Sequence, residues 1–149
     1  RKSPFIFALP SILLSPILTF FTNSLIPQLC LPKQLKPFFV SINTTLTFAI
    51  DAESIELGKD DVMRYIIVIT SPSGARQVSY EGIRCEKYEW RLYGNLQSDG
   101  QWRRNPGSKW QLIMPNSYNR YHSALAKDAF CDNSIPRRNI KEIISLLKP

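Results

Sequence analysis

The sequence has few of the residues on which common enzyme sites depend. It contains one histidine, His122, and three cysteines, with no Cys-x-x-Cys pair and no Cys/His spacing that suits zinc. Its six glycines begin only at Gly58, so no glycine-rich loop precedes that point to cradle a phosphate, and no serine lies in a nucleophile elbow. We therefore expect no catalytic residue, no cofactor and no metal site, and we expect that the protein is not an enzyme.

Acidic residues are absent from the first 50 positions. Those positions carry four basic residues, so the other 15 basic residues and all 12 acidic residues lie in residues 51–149. The formal charge of +7 is thus divided into +4 and +3, which permits an anionic partner without identifying one. A length of 149 residues with 44% hydrophobic residues fits one globular domain and excludes disorder as the main state.

Residues 1–37 differ from the rest and are typical of an export signal. Arg1 and Lys2 precede an apolar run over residues 5–21, which is short for a membrane span and contains two prolines. Three interpretations fit: a cleaved signal, a retained anchor, or an anomalous apolar, proline-rich segment. We expect export to the periplasm or the outer membrane, and a single domain over residues 38–149.

Beyond this segment the sequence is typical of a β-rich domain. Aromatic and β-branched runs predict strands over residues 38–41, 45–50, 62–70, 75–80 and 110–113. Turns are predicted at residues 71–74 (Ser-Pro-Ser-Gly) and at Asp99-Gly100. The alternation changes phase after residue 80, so we expect a bulge or break at Gly82. The predicted sheet is antiparallel, with about five to six strands.

Two amphipathic segments predict C-terminal helices. Apolar residues recur at helical spacing over residues 118–129 and 140–147, with Asn119 and Asn139 as N-caps. The apolar stripes would cover the sheet face whose large side chains share one parity: Tyr88, Trp90 and Leu92. Strands followed by helices make the predicted fold class α+β.

Two of the cysteines are candidates for a disulfide. Cys85 lies on a predicted strand and Cys131 at the end of the first predicted helix, so a bridge would join the sheet to the helical layer. Two buried free thiols are the alternative, but the export signal favours the bridge because exported chains meet an oxidising compartment. Cys30 then has no partner within the domain.

Three motifs give the sequence a family resemblance: R-Y-x-x-V-x-x-S-P-S-G from residue 64, Y-E-G-I-R-C from residue 80, and F-C at residue 130. Over residues 38–149 the chain resembles the cryptic neisserial protein-like family of exported bacterial proteins. The resemblance implies a cell-envelope location, as a periplasmic protein or a lipoprotein, and an unassigned activity. The segment before residue 38 departs from the family pattern, and a shifted reading frame or misplaced start would explain it.

Charged residues within the strands are candidates for binding. Arg64, Glu81 and Arg84 lie next to aromatic residues, and a fixed guanidinium could bind a carboxylate or phosphate. The alternative, which we favour, is a structural ion pair of Glu81 with Arg64 or Arg84. His122 lies on the apolar stripe of the first predicted helix, where we expect a buried structural imidazole.

A second candidate is an interaction patch that combines cations with aromatic rings: Trp102, Arg103, Arg104 and Trp110. No nucleic-acid motif accompanies it, so we do not expect nucleic acid as the partner. The predicted function is that of an exported envelope protein acting as a binding or structural accessory domain, with an anion- or nucleic-acid-binding module as the alternative. Another envelope protein or an anionic surface would then be the partner.

Overall fold

The computed structural model describes residues 31–115 and 120–149, and ten strands lie in this part of the chain. They are β1 (Leu35–Phe38), β2 (Thr47–Asp51), β3 (Glu56–Leu57), β4 (Val62–Thr70), β5 (Arg76–Arg84), β6 (Glu89–Leu96), β7 (Trp102–Arg104), β8 (Gln111–Leu112), β9 (Cys131–Asp132) and β10 (Ile135–Pro136). The first eight form one antiparallel sheet in the order β1-β2-β4-β5-β6-β7, with β3 added beside β4 and β8 beside β6.

The α+β class is confirmed, but the sheet has eight strands and the predicted five to six is too few. The difference comes from short strands: β3 and β8 have two residues each and β7 has three. Segments this short show no alternation of apolar and polar residues, so their pairing depends on the neighbouring long strand and not on a local pattern.

The two predicted turns are present. Gly74, with φ of +90°, donates its N–H to the carbonyl of Ser71 at 2.9 Å and joins β4 to β5. Gly100, with φ of +84°, donates in the same way to Gln97 at 2.9 Å and joins β6 to β7. Both positions require a left-handed backbone, which glycine adopts without strain.

The bulge predicted at Gly82 is wrong. β5 pairs with β4 without interruption through Gly82, and the register shift lies between β5 and β6 at Tyr80 and Glu81, where Tyr93 is the unmatched residue of β6. The apparent change of phase has another cause. β5 is buried on both faces, so Val78 and Tyr80 are apolar on one side while Ile83 is apolar on the other.

The helical layer follows the sheet in the chain. α1 (Arg120–Leu125) continues into a π-helical turn over Ala126–Phe130, and α2 (Ile140–Leu146) follows the β9–β10 hairpin. Asn139 caps α2 as predicted, since its side chain accepts the N–H of Glu142 at 3.2 Å. The other predicted cap, Asn119, lies outside the described residues, as does Tyr118. No described helix is long and apolar enough to span a membrane.

The core lies between the helices and one face of the sheet, here called the helix face. Its large, fully buried apolar side chains come from β2, from the odd-numbered positions of β4 and β5 and from the helical segments: Ile50, Met63, Tyr65, Ile67, Ile83, Leu125, Phe130 and Ile143. Trp90 and Leu92 of β6 face this core as predicted. The opposite side of the same strands, here called the second face, carries the even-numbered residues of β4 and β5.

Candidate functional site

Glu81 lies on the helix face of β5 at the centre of a buried polar cluster. Its carboxylate accepts the hydroxyl of Tyr65 on β4 at 3.1 Å and the hydroxyl of Tyr121 on α1 at 2.8 Å. His122 places Nε2 2.9 Å from the Glu81 Oε1 atom. These four residues, here called the Glu81 cluster, therefore join two sheet strands to the helix by three hydrogen bonds.

Aromatic rings close the Glu81 cluster on its sides. The Trp90 and His122 rings stack with centroids 3.9 Å apart and an interplanar angle of 18°, and Phe48 stacks on Tyr121 at 5.4 Å. His122 is 0% exposed and Glu81 is 2% exposed. His122 Nδ1 has no hydrogen-bond partner among the described residues. A base sealed in this way cannot reach a substrate from solvent, so the cluster has the geometry of a structural cross-link, as expected for His122.

The tyrosines of the Glu81 cluster are held in their protonated form. Burial raises the pKa of Tyr65 well above its usual 10, and the charge of Glu81 raises it further. Burial and then Glu81 raise the pKa of Tyr121 in the same direction. At neutral pH both hydroxyls therefore remain donors to the carboxylate, which is the arrangement that stabilises a buried acid.

The predicted ion pair of Glu81 with Arg64 or Arg84 is wrong. Arg64 makes two bonds to Asp60, at 2.7 and 3.0 Å, and Arg84 makes two to Glu89, at 2.5 and 3.1 Å. The physical reason is strand alternation. Arg84 is three positions from Glu81 and so points to the opposite face, while Arg64 lies opposite Gly82 and also faces away from Glu81.

The predicted disulfide is present between Cys85 and Cys131. The two Cα atoms are 5.7 Å apart, and the side chains are 3% and 4% exposed. Cys85 directly follows β5, and Cys131 directly follows the π-helical turn. The bond therefore ties the sheet to the helical layer near the Glu81 cluster, so one covalent and one polar connection join the same two layers.

The second face carries an arginine that the sequence analysis did not single out. Arg91 on β6 lies opposite Gly82, which in turn lies opposite Arg64 on β4. The Tyr93 ring sits over Gly82, so close that a Cβ there would lie 2.9 Å from a ring carbon. Arg64 and Arg91 each place their guanidinium carbon 5.4 Å from the centre of that ring. The sequence contains a pattern that could have identified Arg91: Arg91 and Tyr93 alternate with the apolar Trp90 and Leu92, so they lie on the opposite face of the strand.

The structure places the two tryptophans of the predicted patch, Trp102 and Trp110, at different positions along β6, while Arg103 and Arg104 remain beside Trp102 on β7. Trp102 on β7 lies opposite Leu96, whereas the residue after Trp110 lies opposite Trp90, six residues earlier on β6. Six residues of extended strand span about 20 Å. Arg103 and Arg104 are exposed, Trp102 is partly buried, and Trp110 lies under the guanidinium of Arg84 at 4.2 Å.

No group of three potential metal ligands occurs among the residues that the structure describes. A search of curated proteins found no match, and a search of solved structures found none either. A family model does match, over residues 22–148, which is most of the chain and includes the Glu81 cluster, the disulfide and Arg91. The chain therefore belongs to the CNP1-like family.

Proposed function

We propose that the protein is an exported domain of the bacterial cell envelope that acts by binding another envelope component and not by catalysis. In this proposal the export signal or anchor lies within residues 1–30, and residues 31–149, a compact unit that includes β1, are the working domain. The family named from the sequence motifs, the cryptic neisserial proteins, is compatible with the CNP1-like match and would give the same location.

The observation that carries the proposal is the disulfide between Cys85 and Cys131. Both cysteines are buried and connect the two layers of the domain. Disulfides persist in oxidising compartments such as the periplasm and are rare in the reducing cytosol. A domain whose layers are joined by such a bond is suited to work outside the cytoplasm.

A binding role is supported by the position of the reactive groups. The one histidine of the chain lies inside the Glu81 cluster, where it is fully buried. Accessible charged groups lie on the second face, on the loops and on the helical segments, where Lys127, Asp128 and Lys141 are exposed. Contact with a partner can therefore use these surface groups without disturbing the connection between the layers.

The location is tested by thiol trapping in intact bacteria that express the full chain. Cells are quenched with acid, treated with a maleimide-polyethylene glycol, and compared with and without prior reduction. We expect Cys85 and Cys131 to be labelled only after reduction, and a Cys85→Ser variant to expose Cys131 to labelling without reduction. Labelling of both cysteines in unreduced wild-type cells would contradict the proposal.

The binding role is tested by chemical crosslinking in the same intact cells, followed by identification of the attached molecule. We expect one dominant adduct that maps to surface residues of the second face. An adduct pattern equal to that of an unrelated exported domain of the same charge would count against a specific partner.

A further inference from the structure

We propose that Arg91 forms an oxyanion-binding site on the second face, which takes a carboxylate or phosphate group of a ligand. The site consists of Arg91, Tyr93, Arg64 and Ser108, and is called the Arg91 site below. The proposal rests on the binding role given above and assigns it a location and a chemistry.

The backbone register places the two arginines of the site on one face. Arg64, Gly82 and Arg91 lie in a row across β4, β5 and β6. Because Gly82 has no side chain, the row has a gap at its centre, and the Tyr93 ring fills it. Both guanidinium carbons lie 5.4 Å from that ring centre, so they are at most about 11 Å apart.

Arg91 is held by neutral groups. Its Nε donates to the Ser108 hydroxyl oxygen at 3.2 Å, and the Ser108 hydroxyl in turn donates to the carbonyl of Leu92. The two terminal Nη groups have no acceptor among the described residues. The guanidinium is thus fixed through one nitrogen and the ring, while the edge that carries the other two nitrogens remains available.

The other partly buried arginines of the domain differ in this respect. Arg64 pairs with Asp60, Arg84 with Glu89, and Arg137 with Glu142, at 2.7, 2.5 and 3.3 Å. Within residues 31–115 and 120–149, Arg91 is partly buried and pairs with no carboxylate. Partial burial of a charge is unfavourable unless an opposite charge or hydrogen bonds compensate it, so this position favours an anion from outside the chain.

The chemistry of the free edge indicates the ligand class. A planar guanidinium with two free nitrogens matches the two oxygens of a carboxylate or phosphate and forms two parallel hydrogen bonds with them. Arg64 contributes little positive potential, because Asp60 neutralises it at 2.7 Å. One oxyanion group is therefore the expected occupant, with Arg91 as the residue that binds it.

The site is tested by nuclear magnetic resonance of the arginine side chains in the oxidised full chain. Inorganic phosphate and acetate are titrated in separate experiments at pH 7 and constant ionic strength, which distinguishes the two oxyanions. We expect the Arg91 Nε–H resonance to shift and saturate with at least one of them. Because these variants lack the Arg91 Nε–H, their apparent Kd is read from the backbone amide resonances of Gly82 and Ser108, which are followed in the wild type as well. The apparent Kd should rise by at least about tenfold in Arg91→Gln, and Arg91→Lys, which keeps the charge but not the planar guanidinium, should give an intermediate value.

Two further variants make the test specific. Arg103→Gln removes the same charge from an exposed position on β7 and should leave the Kd unchanged within about twofold. Asp60→Asn frees the charge of Arg64 and should tighten binding by about twofold, the factor for a unit charge some 10 Å away in a solvent-like medium. Near-ultraviolet circular dichroism checks that each variant is folded.

Two results would overturn the Arg91 site. One is an equal response of all exposed arginines, and the other is an unchanged Kd in Arg91→Gln. If whole-cell crosslinking still yields a specific partner in either case, the site is wrong while the proposed binding role stands.

Discussion

The two faces of the central strands hold their polar groups in opposite ways. On the helix face, Glu81 is 2% exposed and its hydrogen-bond partners Tyr65, Tyr121 and His122 are enclosed with it. On the second face, Arg91 is partly exposed, and its guanidinium is fixed by a serine and a tyrosine ring without an acid. The central strands therefore carry an enclosed polar network on one face and a partly exposed guanidinium on the other.

The difference separates stability from binding. Groups that make their hydrogen bonds inside the protein and are enclosed there contribute to the free energy of folding and are not accessible to a ligand. A positioned group with unused donors contributes little to folding but retains that capacity. Substitutions on the helix face should thus change the free energy of unfolding, and substitutions on the second face should mainly change binding.

The largest effect is expected from removing the disulfide that joins the helix face of the sheet to the helical layer. The bond joins residues separated by 46 positions, and closing a loop of that length stabilises the folded state by about 4 kcal/mol in the chain-entropy model. A Cys85→Ala/Cys131→Ala variant, made in a Cys30→Ser background, should lose about that amount in urea unfolding followed by circular dichroism.

Reduction of the Cys30→Ser protein is the matched control, and it should reproduce most of the loss. A loss below about 1 kcal/mol would mean that the disulfide adds little to the connection already made by the Glu81 cluster. The greater contribution of the helix face to stability would then come from the Glu81 cluster alone.

The next effect is expected from Glu81→Gln, which keeps the shape of the side chain but removes its charge. The amide has one oxygen acceptor in place of two, and its NH₂ group faces hydroxyls that now donate to Glu81. We expect a loss of about 2 kcal/mol in the free energy of unfolding. Glu86→Gln, in the exposed turn before β6, is the control and should change it by less than about 0.5 kcal/mol. Equal losses would contradict the assigned role.

Alkaline pH should lower the free energy of unfolding through the two tyrosines of the helix face. The pKa of Tyr65 and Tyr121 is raised in the folded state, first by burial and then by Glu81, above the value of 10 expected when unfolded. Their contribution is therefore complete below pH 10 and is lost as the pH rises above 10, because the unfolded state releases protons that the folded state retains. Above pH 10, each of the two tyrosines should lower the free energy of unfolding by about 1.4 kcal/mol per pH unit.

The measurement is urea unfolding between pH 9.5 and 11.5, with tyrosinate absorbance as a second probe. Tyr121→Phe removes one tyrosine whose pKa is raised on folding, so its free energy of unfolding should fall with pH by about 1.4 kcal/mol per unit less than that of the wild type. Parallel pH profiles for the two proteins would show that Tyr121 titrates freely in the folded state.

Features set by local chemistry could be predicted from the sequence. The hairpin turn depends on the run Ser71–Gly74, and the cap of α2 depends on Asn139 with Glu142 three positions later. The disulfide was predictable from the positions of Cys85 and Cys131 together with the export that the sequence led us to expect. Each of these needs only neighbouring residues or the redox chemistry of a compartment, and none needs the strand register.

Features that depend on register or on distant contacts could not be predicted. His122 meets Glu81 across 41 positions, and Arg64 is excluded from Glu81 only once its pairing with Gly82 is known. Arg84 is a different case. It lies three positions from Glu81 in one strand, so alternation alone could have placed the two on opposite faces. The alternating Arg91 and Tyr93 could have been recognised in the same way.

The smallest effect is expected from breaking the ion pair of the second face with Asp60→Asn. Arg64 lowers the pKa of Asp60 through their hydrogen bonds, so the contribution of the pair is complete above the unfolded value near 3.8 and is lost as the pH falls below it. Because the Asp60 side chain is 53% exposed, the pair should contribute no more than about 1 kcal/mol at pH 7. A double-mutant cycle with Arg64→Gln, measured by urea unfolding at pH 7 in low salt and in 1 M NaCl, isolates this energy. A coupling that exceeds the loss in Glu81→Gln would reverse the comparison and make the second face the more important one for stability.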